Sequence, residues 1–184
     1  IWWILIGLFL RSAASGSYYD LRTRQAIKGH VVRDFMSGAP VAVSPEQITG
    51  IPGYACYRTV EESIASAQQL VAQHPDIAQL VDIGDSWKKA QNPALGHALW
   101  VLRLTNRSIG GVKPVHYLQG ALHAREYVTA ETVLRYGEWL AGQYGSNPDV
   151  TWVLDHQEVH ILLQANPDGR KVAEISTTRM QRKN

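Results

Sequence analysis

Four short apolar runs punctuate the chain, at residues 80–83, 99–104 (LWVLRL), 115–122 (VHYLQGAL) and 159–163 (VHILL). Their length, β-favouring residues and flanking turn formers predict strands. They are continuously apolar rather than alternating, so burial on both faces is expected. Between them lie segments of helical period. Thr59 and Glu62 form a capping box ahead of Val60, Ile64, Ala67, Leu70 and Val71, and His74-Pro75 ends that helix. A second helix begins near Glu126 and continues through residues 131–140, with Ala130, Val133, Leu134, Leu140 and Ala141 on one face. Asn147 followed by Pro148 opens a third. Strands that alternate with helices imply an α/β sandwich around a central sheet. Chemistry in such sheets gathers where strand ends meet helix starts.

Composition narrows the function classes. An apolar fraction of 45% with 18% charged residues describes a packed globular chain. A formal net charge of +2 gives no footprint for nucleic acid. The single cysteine, Cys56, excludes an internal disulfide framework and any cysteine-cluster zinc finger. Residues 1–10 (IWWILIGLFL) are unbroken apolar, followed by Arg11 and the small residues 12–17. That layout predicts a signal peptide over residues 1–16 and hence secretion or a periplasmic location. An uncleaved N-terminal membrane anchor and a short buried element are the alternatives. Residues 17–50 are rich in Gly and Pro punctuation and are expected to form a leader or surface extension.

One strand-to-helix junction carries candidate chemistry. His123 and Glu126 stand three residues apart there, on a first helical turn or across a tight bend. Imidazole and carboxylate are both good zinc ligands, and a catalytic zinc takes three protein ligands and one open position. The ordinary alternative is a helix start, with Glu126 placed favourably against the helix dipole. Other candidates are weaker. His156, Glu158 and His160 alternate and would share one face of a strand, most simply as a half-buried polar face. His116 is expected to be a core histidine. Asp168 and Gly169 are expected only to make a turn in Asn166-Pro167-Asp168-Gly169.

The run at residues 121–128 (ALHAREYV) resembles the metal-binding segment of zinc metallocarboxypeptidases of the carboxypeptidase A/B type. Asn166-Pro167-Asp168-Gly169-Arg170 is similar to that family's N-P-D-G turn. Residues 180–184 (MQRKN) are similar to its W-R-K segment, with Gln181 where Trp is usual. Residues 57–62 and 81–87 also resemble the start of the catalytic domain, especially in bacterial members. The resemblance therefore covers residues 51–184. It implies an α/β/α sandwich with a central mixed sheet, one Zn²⁺ per catalytic domain, and hydrolysis of the C-terminal peptide bond of a peptide or protein. It implies that His123 and Glu126 bind the metal, that Arg125 belongs to the substrate cleft, and that Arg182 polarises the scissile carbonyl. The family's third zinc ligand and its general-base Glu fall downstream of the R-K segment, so the chain is expected to be the N-terminal part of a longer catalytic domain. A zinc amidohydrolase or deacylase, a cell-wall peptide hydrolase, and a non-catalytic peptide-binding module are the alternatives on the same fold. Nucleic acid is not an expected partner, and a membrane only through an uncleaved anchor.

Overall fold

A computed structural model describes residues 49–183 of the chain. The segment expected to direct export (1–16) and nearly all of the expected extension (17–50) lie outside the described residues. Along the described chain run α1 (Val60–Gln73), β1 (Ala78–Asp85), α2 (Trp87–Gln91), β2 (Ala98–Leu104) and β3 (Val115–Gln119). There follow α3 (Tyr127–Gln143), α4 (Pro148–His156), β4 (Glu158–Leu162) and α5 (Pro167–Ala173).

The capping box at the start of α1 forms as the residues demand. Thr59 accepts from the Glu62 amide, and the Glu62 carboxylate accepts from the Thr59 amide. The same carboxylate also takes the amides of Thr49 and Gly50, which fastens the chain entering the domain. Asn147 caps α4 with Pro148 in its first turn.

The strands pair in the order β1-β2-β4-β3. β1 with β2 and β2 with β4 are antiparallel, while β3 with β4 is parallel, so the sheet is mixed. The register aligns Leu102 with Ile161 and Leu104 with Val159, and α1, α3 and α4 press Leu70, Leu134 and Leu154 onto that face. Helix α3 comes very close to it. A Cβ on Gly137 would lie 2.9 Å from Leu102 Cδ2 and 3.1 Å from Ile161 Cδ1. Truncating a fully buried leucine such as Leu102 to Ala costs about 2–5 kcal/mol, so this layer carries much of the stability.

Three expectations need correction. The expected burial on both faces holds only on the helix side among the described residues. On the other face Tyr117, on the edge strand β3, is 54% exposed, beside half-buried His160 and Arg103. His116 is likewise exposed rather than a core residue. His156, Glu158 and His160 do not share a strand: His156 ends α4 and packs on Trp152 with ring centroids 5.2 Å apart. Glu158 and His160 do pair at 2.8 Å, and Arg103 clasps Glu158 with bonds of 3.0 and 2.5 Å.

Candidate metal centre

The third strand stops at Gln119, short of the expected Leu122, because the backbone must turn there. Gly120 is jammed against α3: a Cβ on it would lie 2.8 Å from the Ala130 Cα. Ala121 follows with φ of 52°, a left-handed conformation that costs an alanine about 1 kcal/mol or more. Two hydrogen bonds hold it there. The Ala121 amide donates to Thr129 Oγ1 at 3.0 Å, and the Asn166 amide donates to the Ala121 carbonyl at 3.1 Å. A buried Ala124 anchors the far side of the bend, donating its amide to the Arg182 carbonyl at 3.2 Å.

On this pinned bend His123 Nδ1 and Glu126 Oε1 meet at 3.0 Å, with side chains 33% and 45% exposed. Glu126 occupies the N-cap of α3, yet its side chain makes no capping hydrogen bond. Glu126 still stands at the positive end of the helix dipole, but it serves the helix start through no hydrogen bond of its side chain. The Glu126 carboxylate turns instead to the imidazole. Two donors bound tetrahedrally to one zinc at about 2.1 Å would lie about 3.4 Å apart. The pair is therefore already close to the spacing of shared ligation. Among the described residues no group of three or more His, Cys, Asp and Glu converges.

Of the two expected arginines, Arg125 stands between His123 and Glu126 in the chain and Arg182 far downstream. Arg125, exposed in the bend, lines an open groove of about 520 Å³ together with Glu126, Tyr54, Tyr57, Tyr127 and Arg179. Arg182 is exposed and reaches the bend through its own backbone carbonyl.

Asn166-Pro167-Asp168-Gly169 proves to be more than a turn. It starts helix α5, with Asn166 capping through the Gly169 amide at 2.8 Å. A Cβ on Gly169 would lie 2.7 Å from the Lys183 carbonyl, so the glycine lets the segment carrying Arg182 pass over the helix start. Asp168 is 4% exposed and accepts from the Ser86 hydroxyl and the Lys88 amide, both at 2.8 Å. It ties α5 to the start of α2, a role hidden by its place in a turn-forming tetrapeptide.

Sequence spacing also missed the support beneath the site. Tyr127 is buried, and its ring lies under the Arg170 guanidinium, 4.4 Å from the ring centroid. Tyr54 and Tyr57 flank it at 5.8 and 6.0 Å. Burial pushes the Tyr127 hydroxyl above its ordinary pKa, with Arg170 and Arg179 opposing. Burial also lowers Arg170, with Glu174 opposing. No periodicity links these residues, which come from three separate parts of the chain.

The family model described as zinc carboxypeptidase matches residues 64–184. Carboxypeptidase A2 of Mus musculus is 33% identical over 130 residues, covering 71% of this chain and 28% of that protein. A zinc carboxypeptidase of Saccharothrix mutabilis subsp. capreolus is 30% identical over 118 residues, covering 64% of this chain and 26% of its own length. Among solved structures, carboxypeptidase A of Helicoverpa armigera superposes with a TM-score of 0.57 at 28% identity, covering 70% of this chain and 29% of its own. Thrombin activatable fibrinolysis inhibitor shares the fold, with a TM-score of 0.63 at 22% identity over 83% of this chain and 36% of its own. The chain thus spans between a quarter and two fifths of the length of these relatives. With a family match that runs through the bend at His123 and Glu126, this chain belongs to the zinc carboxypeptidase family.

Proposed function

We propose that the protein is a zinc-dependent carboxypeptidase and that His123 and Glu126 supply two of the protein donors to its metal. The observation that carries this is the 3.0 Å approach of Nδ1 and Oε1 on a bend pinned at both ends. When bound, the zinc would acidify a water and polarise a carbonyl oxygen. The chain's own residues supply the positioning. The bend holds the two donors at a fixed separation, which lowers the entropic cost of taking up the ion. Arg182, whose backbone carbonyl meets the bend, is the guanidinium assigned to the negative charge that would develop on the scissile carbonyl oxygen. Arg125 presents a second guanidinium to the groove, suited to a carboxylate or a carbonyl of the peptide. Export, by secretion or to the periplasm, is supported by the apolar run 1–10 and the small residues after it.

Equilibrium dialysis of the product of the whole gene against zinc tests the metal assignment. Uptake is expected, and His123→Ala or Glu126→Ala should weaken it by about tenfold or more. Uptake unchanged in both variants would refute it. Mass spectrometry of peptides treated with the product of the whole gene reads the reaction. Stepwise loss of C-terminal residues is expected. Removal of an N-acyl group, cleavage of cell-wall peptides, or binding without turnover would replace the carboxypeptidase assignment by one of its alternatives.

A further inference from the structure

Glu126 sits one peptide bond before the first residue of α3, in a non-helical conformation with φ −87° and ψ 72°. Its side chain receives no hydrogen bond from the helix start. Its backbone is held on one side by the bend, its amide donating to the His123 carbonyl at 3.1 Å, and on the other by the helix start, where its carbonyl accepts from the Thr129 amide and hydroxyl and Tyr127 follows directly. That residue is gripped from several sides. Its hydroxyl donates to the Ala173 carbonyl in α5, Tyr54 meets its ring edge-on, and Arg170 covers a face.

Arg170 is the unusual member. It is fully buried, yet among the described residues its guanidinium makes a single hydrogen bond, from Nη2 to the Arg58 carbonyl at 3.2 Å. Glu174 Oε1 stands off at 3.7 Å from Nε, and among the described residues Nε and Nη1 have no hydrogen-bond partner. For stability alone this is a poor choice, because a buried cation with unpaired donors is commonly matched or bettered by an apolar side chain of similar volume. What the guanidinium does gain is the Tyr127 ring, a desolvated cation–π contact of the strong kind.

We propose that Arg170 is a positioning residue: through the Tyr127 ring it fixes the direction in which Glu126 presents its carboxylate to His123. The proposal rests on the metal-pair reading for its purpose, but the contact it predicts exists without metal. Nuclear magnetic resonance on metal-free protein can therefore read it, as a nuclear Overhauser contact between the His123 ring and the Glu126 methylenes. The contact is expected in the unaltered chain and in Arg170→Lys, which keeps a cation over the ring. It is expected to vanish in Arg170→Met. Thr59→Ala, which loosens only the cap of α1, should keep it while melting at lower temperature.

In parallel, zinc affinity should fall about tenfold or more in Arg170→Met and recover in Arg170→Lys. If Arg170→Met does not fold, Tyr127→Phe and Tyr127→Leu decide. Phe retains the ring face and should keep the contact, whereas Leu should lose it. A contact that persists in Arg170→Met or Tyr127→Leu overturns the proposal, as does equal loss in Thr59→Ala. A product of the whole gene that shows the contact and its loss but takes up no zinc would refute the metal assignment and leave the positioning role standing.

Discussion

Asp168, Gly169 and Ala121 each do something that their residue type alone does not announce. Asp168 accepts two hydrogen bonds from α2 and its cap while almost wholly buried. Asp168→Ala would leave the Ser86 hydroxyl and the Lys88 amide without that acceptor, and the expected loss is about 1–3 kcal/mol. The midpoint of urea unfolding measures it, and an unchanged midpoint would mean that water replaces the carboxylate at no cost. Gly169 is required by the close passage of the Lys183 carbonyl, not by a left-handed conformation. Ala121 is the reverse: it adopts a positive φ that glycine would hold more easily, and two hydrogen bonds keep it there.

At the level of elements, helix starts and strand ends set the geometry of the site. Thr59→Ala removes half of the capping box on α1 and should cost about 1 kcal/mol, seen as a lower melting temperature. Gly120→Ala forces a methyl into the α3 backbone at Ala130, where no side chain can swing aside. Overpacking of this kind costs about 1–3 kcal/mol, and zinc uptake should weaken with it because the His123 bend begins at that residue. The β2–β4 pairing adds a pH dependence. The Arg103 hydrogen bonds hold the Glu158 carboxyl below its ordinary pKa, against partial burial and with help from His160. A carboxyl that is more acidic folded than unfolded stabilises fully above its unfolded value and loses that contribution as pH falls through the folded one. Melting temperature should therefore drop on acidification below about pH 4.5, and more shallowly in Arg103→Met.

Across the whole molecule, buried charges join segments that are distant in sequence. Arg58, just before α1, is bidentate to Glu138 in the middle of α3 at 2.5 and 3.1 Å, and its amide donates to Glu131. Burial raises the Glu138 carboxyl, with Arg58 opposing. Arg58→Met would leave that carboxylate buried without its partner, at an expected cost of about 3–5 kcal/mol. Arg58→Met with Glu138→Leu should recover most of it in urea unfolding, since the uncompensated charge is gone. A double variant no more stable than the single one would show that packing, not charge, sets the loss. The three histidines at 116, 156 and 160 illustrate why such links escape inspection of the chain. Period-two spacing put 156, 158 and 160 on one strand face, but α4 continues through His156 and the strand begins only at Glu158.

Local chemistry alone determined the α/β alternation, the caps at Thr59 and Asn147, and the candidate pair His123 and Glu126. Each depends on residues within a few positions of one another, where backbone geometry leaves few options. Tertiary structure decided what had to be closed over long separations: the α5 start beneath the Lys183 carbonyl, the Asp168 clasp on α2, the Arg58–Glu138 pair, and Arg170 over Tyr127. Those contacts join residues tens of positions apart or more, and their energies come from burial that no single segment possesses before the chain has folded.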